Sequence, residues 1–381
     1  MLTLIENGDV HAPEPLGRRS VLLVDGKIGH VGEVDRRAVE RLGLDHEVID
    51  ATGHLVVPGL VDPHQHLLGG SGEGGLSLQT PMLFLTEIVR AGITTVVGTL
   101  GVDTTMKTMA GLLARVKALK EEGLSAYLWS GGYNVPPTTV MRSVREDMLF
   151  IDECVGAGEV AISDARGLPA PIHEIAHLVH DVHVGGLLSG KAGVTHFHVG
   201  EGRHRLEPLR RLLDDYEIEP GWLYPTHVQR NERLLDEAIA LVARGMTVDF
   251  DTSERDLARW FRHFLDGGGD PERLTVSSDS DSGTPDWHWE QLCGLVVRER
   301  QPLERVLRLA TSNVARTLKL PRKGRLAEGC DGDVLVLAAG SLDVVHVIAG
   351  GQTMVRDGRP VVRERFLEES GRRYDLRGAK D

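Results

Sequence analysis

The sequence predicts an α/β protein: a (β/α)8 TIM-like barrel with a small β-sandwich domain built from both chain ends. Three observations lead there. The 381 residues suffice for one barrel-sized domain plus a smaller unit. Across residues 55–324, eight short apolar runs alternate with amphipathic stretches, as expected of a closed parallel barrel. The flanks, 1–54 and 325–381, read instead as short strands joined by turns. A doubly wound open sheet is the structural alternative, but no Gly-x-Gly-x-x-Gly follows an early strand.

In chain order, residues 20–31 have the form of a hairpin with Asp25-Gly26 at its turn. Strand one of the barrel is the run Val56-Val57-Pro58-Gly59-Leu60-Val61-Asp62-Pro63-His64-Gln65-His66. Strands two to eight are expected at 93–101, 125–133, 159–164, 195–200, 222–228, 247–253 and 274–280, with helices such as 105–122 and 232–244 between them. Residues 331–337 and 344–351 are β-like again, and Asp357-Gly358 offers a second hairpin turn.

The net charge of -13 argues against a nucleic-acid partner, which would require a basic surface. Cys154, Cys293 and Cys330 lie far apart without a Cys-x-x-Cys, so neither a disulfide framework nor a zinc ribbon is indicated. The sequence has no apolar run of membrane-spanning length and no signal-peptide pattern at its start. The expectation is a cytoplasmic protein without a membrane partner.

The chemistry is concentrated at the strand ends. Residues i and i+2 of a strand leave the same face, so His64 and His66 project together. Strand four is expected to begin with Glu159, strand five carries His196 and His198, strand six ends in His227, and strand eight ends in Asp279. Barrel sites form at the C-terminal rim, from residues on several strands. His64, His66, His198 and His227 converging there with Glu159 and Asp279 suit one or two divalent metals. A lone histidine would be read as packed; candidates on five strands at barrel spacing are hard to explain that way. His196 shares a face with His198; a further ligand is one alternative, and the residue reads as a support for a ligand or as packing.

One rival motif is His173-Glu174-Ile175-Ala176-His177, a literal HExxH, with His183 ten residues after His173. The glycine that lets a metzincin chain turn is His180 here. Ile172, Ile175, Val179 and Val182 already explain the segment as an outer helix with a buried stripe. A zincin protease is the remote alternative.

With these motifs in place, the chain resembles the amidohydrolase superfamily of metal-dependent hydrolases, and within it the isoaspartyl (β-aspartyl) dipeptidases. The resemblance covers nearly the whole chain. It rests on the His-x-His after Pro-Gly, the strand-end residues above, Gly69-Gly70-Ser71-Gly72-Glu73-Gly74, Gly132-Tyr133-Asn134-Val135-Pro136, Ala161-Ile162-Ser163-Asp164 with Arg166, and Pro225-Thr226-His227-Val228 with Arg230. It implies two zinc ions per chain: one on His64, His66 and Asp279, the second on His198 and His227. Glu159 would bridge them in place of the family's carboxylated lysine, or the site would hold a single metal.

The resemblance further implies that Asp279 takes the proton of the activated water and returns it to the leaving amine. Tyr133 would donate a hydrogen bond to the carbonyl oxygen. Glu73 would pair with a substrate ammonium, and Arg166 and Arg230 would grip carboxylates. Ser282 would contact substrate, since Gly283 stands where the family has a serine; Val102 stands where it has a hydroxyl residue. The implied activity is hydrolysis of a β-aspartyl dipeptide by a homo-oligomer. A cyclic-amide hydrolase or deaminase would use the same metals without requiring Glu73 and the two arginines.

Overall fold

Asp25 and Gly26 both adopt positive φ, 49° and 76°. Such a turn matches the right-handed twist of its flanking strands, so Pro15–Val24 folds back on Lys27–Gly32 with Val24 opposite Lys27. Asp357 and Gly358 repeat the geometry, with Arg356 opposite Arg359. The computed structural model describes residues 2–281 and 285–366.

The two chain ends meet in one nine-stranded sheet. Leu2–His11 runs parallel first to His46–Asp50 and then to His54–Pro58. His54–Pro58 in turn pairs antiparallel with Val334–Ala338, from the other end of the chain. Ile5, Val21, Val56, Val336 and Ile348 share one apolar core. The sequence suggests a β-sandwich; the pairing gives one continuous sheet around a common core. That sheet also takes Val56 and Val57 from the run expected to open the barrel, and the break falls at Gly59. A Cβ there would lie 2.2 Å from Thr94 Oγ1, so only glycine permits the approach.

Barrel strands one to six are Leu60–Gln65, Ile93–Gly98, Ser125–Ser130, Cys154–Ile162, Val194–Val199 and Leu223–Thr226, parallel neighbours in that order. Strands seven and eight, Val248–Asp251 and Leu274–Ser277, form a second parallel pair. Thr226 Oγ1 donates to Asp249 across the gap between six and seven, at 2.8 Å. At the other gap, His66 N donates to Ser280 O at 3.0 Å and Asp279 N to His64 O at 3.2 Å. Eight parallel strands thus circle in order, covered outside by helices and filled inside by their own side chains.

Strand four differs from expectation. It starts at Cys154, so Glu159 sits in its second half, toward the rim. Opposite it, Ala157 pairs with Thr195 and Val160 with Phe197, which leaves Gly158 and Glu159 facing His196 alone. Strand one has the same irregularity: Asp62 pairs with Val96 and Gln65 with Gly98, so Pro63 and His64 face one residue. Both are β-bulges, which re-aim side chains and tolerate a proline in a strand.

Among the helices, Met109–Glu121 is capped by the Thr108 side chain and Glu232–Ala243 by Asn231. Ile172–Ser189 is one unbroken helix ending at Gly190. Its His173, Glu174 and His177 are exposed while Ile175, Val179 and Val182 are buried, and His183 stacks on Trp222 at 3.6 Å. Among the described residues no metal-binding trio forms there, so the zincin geometry is absent. Among the described residues no helix is long and apolar enough to cross a membrane.

The barrel is fastened to the end sheet by Lys323. Its buried ammonium reaches Asp333 at 2.6 Å, Asp331 at 3.0 Å and Ser125 Oγ at 2.5 Å. Burial opposes its charge, but the two aspartates outweigh that and raise its pKa. Lys323→Met should leave buried negative charge uncompensated and cost about 3–5 kcal/mol. Urea denaturation followed by circular dichroism checks this; an unchanged midpoint would show that the cluster contributes nothing.

Candidate metal centre

The bulge in strand one and the closure with strand eight bring His64, His66 and Asp279 together. Asp279 Oδ1 lies 3.3 Å from His64 Nε2 and 3.2 Å from His66 Nε2. Glu159, aimed inward by the strand-four bulge, divides its oxygens. Oε1 faces His64 and His66 at 3.5 and 3.7 Å, and Oε2 faces His198 and His227 at 3.1 and 3.8 Å. One buried carboxylate therefore stands between two pairs of imidazoles. Gly101 permits this closeness, since a Cβ there would come 2.7 Å from His66 Cε1.

Three groups could each hold a cation: His64, His66 and Asp279; His64, Glu159 and His227; and His227, Asp251 and Asp279. His198 is in the cluster but in none of these trios. Its Nε2 lies 3.0 Å from Asp164, and the Tyr133 hydroxyl lies 3.0 Å from its Nδ1. The donor set fits a divalent cation. His64 Nε2 is fully buried and faces two carboxylates, yet makes no aligned hydrogen bond. Imidazole with carboxylate is a ligand mixture suited to zinc and its neighbours.

Two residues of this site were given no role from the sequence. Asp251, the last residue of strand seven, accepts from His227 Nδ1 at 2.7 Å, which turns Nε2 toward Glu159. Asp164 grips Arg166 with both oxygens, Nε at 3.0 Å and Nη2 at 2.8 Å, as well as touching His198. Asp249-Phe250-Asp251 is an i, i+2 pair of carboxylates in an apolar strand. That is the same signal as His-x-His, and it could have found Asp251.

The substrate-side candidates share one cavity of about 370 Å³ with the cluster: Glu73, Val102, Tyr133, Arg166 and Arg230. Glu73 Oε1 and Arg166 Nη1 pair with each other at 2.8 Å. Ser282 and Gly283 lie outside the described residues. Trp287 and Trp289 stand on the helix Asp286–Val297, outside this cavity; Trp289 is buried and donates to Leu342 O at 2.8 Å. A larger cavity, about 620 Å³, lies behind the loop after strand four and holds none of the clustered imidazoles.

The charges balance within the cluster. Burial raises the carboxyl pKa of Glu159 and Asp279, but the neighbouring imidazoles, His64 foremost for Glu159 and His227 for Asp279, win and hold both well below the usual range. Burial likewise opposes charge on His227, yet Asp279 and Asp251 raise it to about 9. His64 is raised for the same reason by Glu159 and Asp279. A cation entering here must displace protons that are held at neutral pH. Below about 9 the His227 proton competes with metal, so affinity should increase with pH. Chelator competition between pH 6.5 and 8.5 should show roughly tenfold tighter zinc binding per pH unit for each proton displaced. Affinity independent of pH would exclude this cluster as the ligand set.

Against known proteins, no family model matches the chain. The β-aspartyl dipeptidase of Fervidobacterium islandicum AW-1, solved in complex with β-Asp-Leu dipeptide, superposes with a TM-score of 0.90. It is 36% identical, over 95% of this chain and 98% of its own. Enamidase, a member of the amidohydrolase superfamily, shares the fold at a TM-score of 0.67 and 18% identity, over 95% of this chain and 99% of its own. Adenine deaminase 2 of Rhizobium meliloti (strain 1021) is 25% identical over 327 residues, 82% of this chain and 50% of its own. The chain thus spans about half the length of the curated relatives it matches. The 36% identity over nearly both full lengths places it: the chain belongs to the amidohydrolase superfamily, in the family of these β-aspartyl dipeptidases.

Proposed function

We propose that this protein hydrolyses the amide bond of a β-aspartyl dipeptide, with two zinc ions held by His64, His66, Glu159, His198, His227 and Asp279. The observation that carries this reading is the Glu159 carboxylate between two imidazole pairs, opening into a cavity lined by Glu73, Arg166 and Arg230. A bound divalent cation supplies Lewis acidity, polarising the carbonyl and making water acidic enough to attack near neutral pH.

The chain's own groups do the rest. Asp279, partly exposed to the cavity, accepts the proton of the attacking water and delivers it to the departing nitrogen. Burial, and then the charge of Glu159, push the Tyr133 hydroxyl far above its ordinary pKa, so it stays protonated as a donor to the carbonyl oxygen. Glu73 and Arg166 neutralise each other in this structure, and a dipeptide offers each a replacement: ammonium for Glu73, carboxylate for Arg166. Asp164 holds the guanidinium in place during that exchange. Arg230, at the exposed rim, supplies the second carboxylate contact. A nucleobase offers neither ammonium nor carboxylate to these three residues, and a cyclic amide offers Glu73 no ammonium.

Zinc-reconstituted protein, with metal per chain measured on the same sample, should turn over β-Asp-Leu and leave α-Asp-Leu, dihydroorotate and adenine untouched. Turnover of dihydroorotate or adenine instead would overturn the substrate assignment. Asp279→Asn should lower kcat on β-Asp-Leu by roughly 10²- to 10⁴-fold. Each of Glu73→Gln and Arg230→Met should lower kcat/KM by roughly 10- to 100-fold, the worth of one charged hydrogen bond. Unchanged kinetics in both would remove the dipeptide reading.

A further inference from the structure

Behind the cluster, on the side away from the cavity, lies His196. Its Nδ1 is 2.9 Å from the carbonyl oxygen of Tyr224, and its Nε2 is 2.9 Å from His64 Nδ1. A backbone carbonyl can only accept, so His196 Nδ1 carries a hydrogen. A neutral imidazole with hydrogen on Nδ1 presents a lone pair at Nε2. His64 Nδ1 must then be the donor, which leaves His64 Nε2 as the ligand nitrogen. That is the nitrogen facing Asp279 and Glu159, at 3.3 and 3.5 Å.

The His196 ring is held in this pose from several sides. It stacks on Trp129, with centroids 4.8 Å apart and 18° between planes, and lies against Tyr224 at 4.9 Å. Trp129 is anchored through Nε1 to the carbonyl of Pro63, the residue before His64, at 2.9 Å. Gly158 brings the strand-four backbone against it, since a Cβ there would lie 2.7 Å from His196 Cβ.

We infer that His196 is a positioning residue: through the Tyr224 carbonyl it fixes the tautomer and ring orientation of His64, and so the cation affinity of the site. The inference rests on the metal centre proposed above. Two roles compete for the same side chain, and they predict opposite orders among variants. If His196 only packs between Trp129 and Tyr224, His196→Phe should be the benign change and His196→Gln the damaging one. If it accepts from His64, His196→Gln retains an acceptor, whereas His196→Phe leaves the His64 Nδ1–H unpaired.

The experiment is zinc affinity by chelator competition for wild type, His196→Gln and His196→Phe, with folding checked by circular dichroism. The expected result is roughly 10- to 100-fold weaker binding for the Phe variant, and binding within a few-fold of wild type for the Gln variant. Phe equal to wild type with Gln weakened overturns the inference and leaves the metal centre standing. Wild type that binds no zinc overturns both. Should the Phe variant not fold, ¹⁵N-histidine spectra of zinc-loaded wild type decide: His64 should show hydrogen on Nδ1 and metal on Nε2. The reverse pattern overturns the inference.

Discussion

Imidazoles from three different strands can be gathered inside a barrel only if negative charge is gathered with them, and Glu159 supplies it at the centre. An isolated buried carboxylate is prohibitively costly, and so is an isolated imidazolium. Together they are tolerable, because each oxygen of Glu159 faces its own pair of rings. The need for compensation spreads outward from there. His227 takes Asp251, which in turn accepts from Gln229 Nε2 at 2.7 Å and from the Ser253 hydroxyl. Asp62 pins the strand-one bulge by accepting from His64 N and Ser278 N.

Beneath this layer the barrel is filled by polar groups where aliphatic side chains are usual. Asp249 accepts from the hydroxyls of Tyr224, Thr226, Thr275 and Ser277. Burial outweighs those hydrogen bonds and raises its pKa to about 6. The ligand layer itself holds backbone that resists ordinary residues: His227 at φ 63° and Asp279 at φ 47° lie in the left-handed region. Such residues cost about 1–3 kcal/mol each and persist only where their surroundings over-determine them. Here the His64 carbonyl receives Asp279 N, and Asp251 receives His227 Nδ1. A site assembled against local preference in this way depends on the contacts that over-determine it.

What the sequence made legible is whatever depends on near neighbours. Asp25-Gly26 and Asp357-Gly358 could be read because both turn residues must take positive φ, and those dipeptides do so readily. His64 and His66 could be read because strand periodicity alone sets their common direction. The start of strand four could not: Cys154-Val155-Gly156-Ala157-Gly158 is poor in the branched and aromatic residues that mark strands, and its two glycines read as a loop. The bulges were equally invisible, being mismatches between two strands. His196 could be read only as support or packing, because its hydrogen-bond partners lie on strands one and six. The break at Gly59 was misplaced because Val56, Val57, Leu60 and Val61 are equally apolar on either side of it; only pairing separates them.

The glycines that hid strand four also explain how a glutamate can serve there. The resemblance leads one to expect a carboxylated lysine, a much longer side chain, so a shorter acid requires the backbone itself to come closer. A Cβ at position 156 would fall 2.1 Å from Val194 O, and one at 158 would fall 2.7 Å from His196 Cβ. Strand four therefore lies nearer to strand five than side chains at these positions would allow. Glu159 leaves the chain from within that close approach and on a bulge, with Oε2 3.1 Å from His198 and Oε1 3.5 Å from His64. The shorter acid thus stands on a bulged strand that approaches strand five closely, with glycine at the two points of contact.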